Sequence, residues 1–278
     1  MAFTEKLSDE GLKYFSEIGQ KPFSQQAVAF LNAYWPEVQS QAEFIFHVAY
    51  DLIKKTDMHS QGISLIHKYQ EGCDLDFDMA LYLYEQMNKF LDDPKNAQWA
   101  DDKFKMSHPE VLTALKRKQE LRDKVDVNFD GRVSFLEYLL YQYKDVANPM
   151  DFVTRSMGQG DEHPEIRKAR LALEEVAKAI REYEAEKSRL EEESKGEGVK
   201  ALRAKNLLAQ LGASPLAETL NTALIQAEAA LRAVVKKFGG GDGSMSPRSQ
   251  EAAGNASGAV YWMQQDLAEK KKYGKSIK

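Results

Sequence analysis

Residues 126–137 read DVNFDGRVSFLE, and a stretch of this kind leaves the chain few ways to fold around it. Three carboxylates, an Asn, a Ser and one Gly are set between two runs of helical character. Calcium takes six to eight oxygens at flexible distances, and a twelve-residue loop supplies them from alternating positions. Asp126, Asn128 and Asp130 stand at positions 1, 3 and 5. Arg132 at position 7 offers its backbone carbonyl, and Ser134 at position 9 acts directly or through a water. Glu137 at position 12 closes the cage with both carboxylate oxygens. Gly131 permits the sharp, positive-φ turn that a side chain opposes. The pattern D-x-[DN]-x-[DN]-G-x5-E is met without a mismatch, so the expected element is an EF-hand loop with Ca2+ as its cofactor. Three carboxylates with two neutral ligands predict a dissociation constant on the order of 10⁻⁷ to 10⁻⁵ M.

The flanks agree with that reading. HPEVLTALKRKQELRDKV (108–125) is predicted to be the incoming helix, with Pro109 at its first position and Val111, Leu115, Leu121 and Val125 near one face. FLEYLLYQY (135–143) resumes the helical pattern. EF-hands come in pairs, and Val133 suits a short strand pairing with a partner loop. DLDFDMALYLYE (74–85) places Asp74, Asp76, Asp78 and Glu85 at ligand positions but has Met79 where Gly belongs. Two readings stand for it: Asp residues capping a helix N-terminus, or a degenerate, metal-free partner loop.

The rest of the chain reads as helix. SQQAVAFLNAYW (24–35) is expected to be capped by Ser24 and stopped by Pro36, with a second helix over 36–55. The aromatic residues Phe23, Tyr34, Trp35, Phe44, Phe46 and Tyr50 read as core rather than as a ligand pocket. From Ile166 an alternating three–four spacing runs through Ala169, Leu173, Val176, Ile180, Tyr183, Lys187 and Leu190. A second seam follows through Leu220, Leu224, Ala227, Leu231, Val234 and Phe238. Such seams predict an antiparallel hairpin with arms of roughly 30 residues, or alternatively dimerisation through the same faces. The glycine-rich 239–258 reads as a flexible linker, and 259–278 as a basic, amphipathic C-terminal helix suited to an acidic protein surface.

These elements define the expected organisation: an N-terminal helical domain (1–70), an EF-hand domain (71–152), a coiled-coil helical hairpin (160–238), the linker and the terminal helix. The fold class is all-α, with one good loop and one degenerate partner. Hydrophobic content of 43% excludes global disorder, and no apolar run approaches the ~20 residues of a membrane span. A net charge of −5 gives no case for nucleic-acid binding. A single cysteine, Cys73, suits a reducing cytoplasm, and the polar N-terminus is neither a secretory signal nor a transit peptide.

KRKQELRDKVDVNFDGRVSFLEYLLYQYKD (116–145), DEHPEIRKARLALEEV (161–176) and PFSQQAVAFLNAYW (22–35) closely resemble the calcium-regulated actin-bundling proteins of slime moulds and other amoeboid protists. The resemblance spans nearly the whole chain. It implies an all-helical cytoplasmic protein of the cytoskeleton that cross-links filamentous actin and loosens its hold when calcium rises. It also implies that the helical C-terminal half carries a major part of the actin contact. The family's calcium ligands carry over to Asp126, Asn128, Asp130, Arg132, Ser134 and Glu137. A monomer or weak self-association is expected. Two rivals remain. A calcium-dependent enzyme is disfavoured by the lack of a phosphate loop, nucleophile motif or His/Cys cluster. An EF-hand sensor that dimerises by coiled coil and binds a different protein would differ in the direction of its calcium effect.

Overall fold

A computed structural model of the chain describes residues 7–158, 160, 162–238 and 256–277. They are predominantly helical, and the sheet among them is one pair of three-residue strands. Two compact units divide the chain. The first takes the described residues of Met1–Ile63, Gln70–Asp161 and Gly254–Ala259. The second takes those of Ser64–Tyr69, Glu162–Ala253 and Val260–Lys278. The N-terminal helices and the loop-bearing segment are packed into the same unit.

In the first unit, α1 (Asp9–Gly19) starts where the Ser8 hydroxyl accepts the Gly11 N–H at 3.1 Å. Its opening acids, Asp9 and Glu10, suit the positive end of the helix dipole. Helix α2 (Phe23–Val38) does not stop at Pro36, as the sequence predicts; it runs through a kink at Tyr34, whose φ of −124° absorbs the clash a proline makes with the preceding turn. Nor does Ser24 cap it. The Ser24 N–H and hydroxyl both donate to the Glu71 carboxylate, which reaches this helix start from 47 residues away. Burial pushes the Glu71 carboxyl up, and these donors pull it back. The expected second helix is a succession of α-turns (Ala42–Phe44), a π segment (Ile45–Tyr50) and α3 (Asp51–Ser60).

Strand β1 (Asp74–Asp76) leads directly into α4 (Phe77–Asp92). Helix α5 (Ala114–Glu120) passes into a π segment (Leu121–Val125), then come β2 (Arg132–Ser134), α6 (Phe135–Gln142) and α7 (Pro149–Met157). Phe23, Tyr34, Phe44 and Phe46 are all buried, and Phe23 meets Phe135 edge to face with ring centroids 6.3 Å apart. These aromatic side chains are core.

Gln26 ties this unit together. Its side chain is wholly buried, and its Nε2 lies within hydrogen-bond reach of the carbonyls of Gly19, Lys21 and Cys73. Its Oε1 accepts the Leu136 N–H at 2.8 Å. One amide therefore satisfies backbone groups at the α1–α2 turn, ahead of β1 and at the start of α6.

The second unit is built on α8 (Pro164–Ser194), α9 (Gly198–Gln210) and α10 (Pro215–Phe238). The 31-residue α8 buries Ile166, Ala169, Leu173, Val176, Ala179, Tyr183 and Leu190. Ala179 sits deeper than the expected Ile180. Helix α10 buries the expected seam from Leu220 to Phe238, with Ala217 added. Lys237, at the end of α10, pairs with Glu165 at the start of α8 (3.0 Å), so the two helices run antiparallel. Between the two long arms come the short α9 and a corner at a 3-10 turn, Leu211–Ala213, around which Tyr183, Leu190, Ala204, Leu211 and Ala217 form a cluster. The terminal helix α11 (Ser257–Ser276) belongs to the folded structure rather than standing out as a free basic tail: within this unit, Lys271 pairs with Glu228 at 2.6 Å and the Tyr273 hydroxyl bonds the Glu184 carboxylate. The expected linker lies, up to residue 255, outside the described residues.

Gln26→Ala removes both Nε2 donors and the Oε1 acceptor, leaving the Leu136 N–H and carbonyls among Gly19, Lys21 and Cys73 without this partner. It is expected to lower stability by about 3 kcal/mol, read as a shift of the urea unfolding midpoint.

Candidate metal centre

The incoming segment differs from the predicted helix over 108–125. Residue 108 precedes a proline and is extended (ψ 124°), as the proline ring requires of its neighbour. The α-helix starts only after Thr113, whose side chain caps the Lys116 N–H. Val111 and Leu115 are more than four-fifths exposed, so they do not share the buried face with Leu121 and Val125. Arg117 takes that place. Its guanidinium stacks 4.1 Å over the Tyr84 ring and pairs with Glu120 at 3.0 Å, leaving it 4% exposed. A planar, weakly hydrated cation tolerates burial against an aromatic face as few charged groups do.

The loop then turns through Phe129 (φ 58°) and Gly131 (φ 79°). The glycine is at no disadvantage there, while the phenylalanine is in a region unfavourable to L side chains. All six predicted residues lie on this loop and the first turn of α6. Asp126 Oδ1 accepts the Asp130 N–H (3.2 Å) and Oδ2 the Gly131 N–H (2.9 Å). Asn128 Oδ1 also accepts the Asp130 N–H, and its Nδ2 donates to Asp130 Oδ2 at 2.7 Å. Asp130 Oδ1 accepts the Arg132 N–H at 2.8 Å.

Glu137 reaches back across the loop. Its Oε1 accepts the Val127 N–H, and its Oε2 accepts both the N–H and the hydroxyl of Ser134, each at 2.8 Å. The Ser134 hydroxyl in turn accepts the Glu137 N–H, completing a capping box at the start of α6. Glu137 is 1% exposed. Burial pushes its carboxyl up to about 7, against the pull of those donors, and the Asp126 carboxylate pushes the same way. Asp126 is likewise raised by burial and by Asp130. Among the described residues no ion pair reaches Asp126, Asp130 or Glu137.

The donor set is all oxygen, which suits a hard cation such as calcium. Three carboxylates on one loop, none in an ion pair among the described residues, also favour an added positive charge. Among the described residues, however, no three acidic, His or Cys side chains are grouped so as to hold an ion. Like charges repel, and each carboxylate is turned to backbone N–H groups rather than to a common point.

In the run 74–85 the capping reading is what the structure shows. Asp74–Asp76 also pairs antiparallel with Arg132–Ser134, placing Leu75 opposite Val133. Asp76 caps α4 by accepting the Met79 N–H at 2.8 Å. Asp78 pairs with Lys118, Asp74 pairs with Arg132, and Glu85 is exposed. Helix begins at Phe77, where a cation loop needs further turn, and the carboxylates are held by separate partners. Sequence reasoning missed Gln26 and Arg117, whose polarity suggests surface. The only sign for either was its place at helical spacing on an otherwise apolar face.

Comparison with known proteins places the chain. Residues 132–261 match the family model described as F actin bundling C terminal. The calcium-regulated actin-bundling protein of Dictyostelium discoideum is 62% identical over 274 residues, covering 98% of this chain and 92% of that protein. The crystal structure of the 34 kDa F-actin bundling protein from the same organism superposes with a TM-score of 0.89, covering 96% of this chain and 98% of that one.

Ser134→Ala removes the helix cap and one of the three donors on Glu137. It is expected to cost about 1 kcal/mol in urea unfolding measured in chelator.

Proposed function

Because the chain belongs to the family of calcium-regulated actin-bundling proteins, we propose that it binds and cross-links filamentous actin and that calcium at 126–137 inhibits the bundling. The observation that carries the calcium half is Glu137, a carboxylate buried to 1% exposure beside Asp126 with no basic partner among the described residues. On this reading 126–137 is an EF-hand loop, and Asp126, Asn128, Asp130, Ser134, Glu137 and the Arg132 carbonyl are the ligands. A calcium ion held by these residues would supply two positive charges to offset their carboxylates.

The chain's own residues then turn binding into movement. Glu137 would be both a ligand and half of the capping box, so a change at its carboxylate would act on the Ser134 and Val127 N–H groups that it now accepts. The start of α6 and the segment 114–125 shift against each other, and the repacking misaligns an actin-binding face. Actin contact is assigned to the helical C-terminal half, where 160–238 acts as a coiled-coil hairpin and 259–278 as its terminal helix. A cross-linker needs two separated surfaces, from one chain or from two. The α8 and α10 seams are filled within the chain, which supports a monomer or weak self-association over a coiled-coil dimer. The family is one of structural proteins rather than enzymes, and its polymer partner places this chain with the cytoplasmic cytoskeleton.

Low-speed co-sedimentation with filamentous actin is the test. Bundles are expected to pellet in chelator and disperse in micromolar calcium, while Glu137→Gln pellets them in both. Bundling that appears only with calcium reverses the assigned sign. No bundles in either condition favours a calcium sensor with a different target.

A further inference from the structure

We propose that Asp74 is a positioning residue for the calcium loop: it holds the Arg132 guanidinium on the partner strand and so keeps a tethered cation away from the loop carboxylates. The inference rests on reading 126–137 as the calcium site. Arg132 presents a difficulty for that site. Its backbone sits where a ligand carbonyl is needed, yet its side chain carries a positive charge on a long stem. Its N–H is bonded to Asp130 Oδ1 at 2.8 Å, and the neighbouring Gly131 N–H to Asp126 Oδ2 at 2.9 Å. Two carboxylates, with no ion pair of their own among the described residues, are thus fixed at the base of the Arg132 side chain. A guanidinium free to swing is drawn to the same charges that attract calcium.

The paired strands prevent this. Asp76 lies opposite Arg132 in the β1–β2 register and Asp74 lies diagonally across, within reach of a long side chain. Arg132 Nε pairs with Asp74 Oδ1, and the guanidinium is held above its ordinary range chiefly by that bond. The other oxygen, Asp74 Oδ2, accepts the Cys73 thiol at 3.2 Å, which orients the carboxylate. Asp76 contributes attraction but is engaged as the cap of α4. Asp74, already engaged with Arg132 across the strand pair, therefore serves the loop 126–137.

Arg132 is half exposed, so the pair is screened and its effect modest. Calcium affinity is read by isothermal titration calorimetry on the full chain, with thermal melts in chelator as the control for folding. Asp74→Asn is expected to weaken calcium binding about three- to five-fold at low salt, and less at about 500 mM KCl. Asp74→Glu preserves binding. Arg132→Ser keeps the ligand carbonyl, removes the charge and preserves or tightens binding. With no guanidinium left to hold, Asp74→Asn added to Arg132→Ser changes affinity by less than about two-fold. This rescue separates positioning from a structural role. If Asp74→Asn weakens binding equally in the wild-type and Arg132→Ser backgrounds, or leaves it unchanged in the wild type, the proposal is overturned. Wild-type protein that takes up no calcium instead removes the loop reading beneath it.

Discussion

A carboxylate buried among backbone N–H groups, with a second carboxylate beside it and no basic partner among the described residues, is the constraint on which the rest of this structure turns. Glu137 cannot be stabilised by solvent, and its burial makes its charge costly. The chain offsets that cost with three donors, two of them from the Ser134 cap of the helix that Glu137 itself begins. Helix start and candidate ligand are therefore one group. Any force that moves the carboxylate acts on α6 directly, which is what a switch at this position requires.

The surroundings fix that helix on its other sides. Gln26 accepts the Leu136 N–H from within the N-terminal helices and holds the Cys73 carbonyl just ahead of β1. The β1–β2 pair ties the end of the loop to the segment that leads into α4. Arg117, packed on Tyr84, anchors the incoming segment. Each contact ties the loop to residues far away in sequence, so local rearrangement at 126–137 is resisted by a connected set of polar groups rather than absorbed by a flexible loop.

The turn at 126–137 is legible in the sequence because its cues are local: short polar side chains at alternating positions and one glycine, which the structure places at φ 79°. The seams of α8 and α10 are legible because a three–four alternation marks one buried face on each helix, although it leaves open whether the same chain or a second one covers that face. What the sequence conceals follows from polar residues in apolar places. Gln26 and Arg117 look like surface positions, and only the folded chain shows the carbonyls and the ring that receive them. Val111 and Leu115 look like core, but the helix begins only after Thr113 and both side chains are exposed. Ser24 has the character of a cap, yet Glu71 supplies the acceptor. The faces that meet actin carry no comparable pattern, since recognition of a large polymer surface does not demand fixed residue types at fixed spacing.

The central claim is that one loop, and not its partner, takes up calcium. Equilibrium calcium titration of the full chain, with bound ion counted per chain, tests it most directly. The account predicts a single ion per chain, bound with a dissociation constant on the order of 10⁻⁷ to 10⁻⁵ M. Two ions would show that 74–85 retains a site despite its strand, its cap and its ion pairs. No bound ion would contradict the account at its base, leaving the buried Glu137 with a purely structural role.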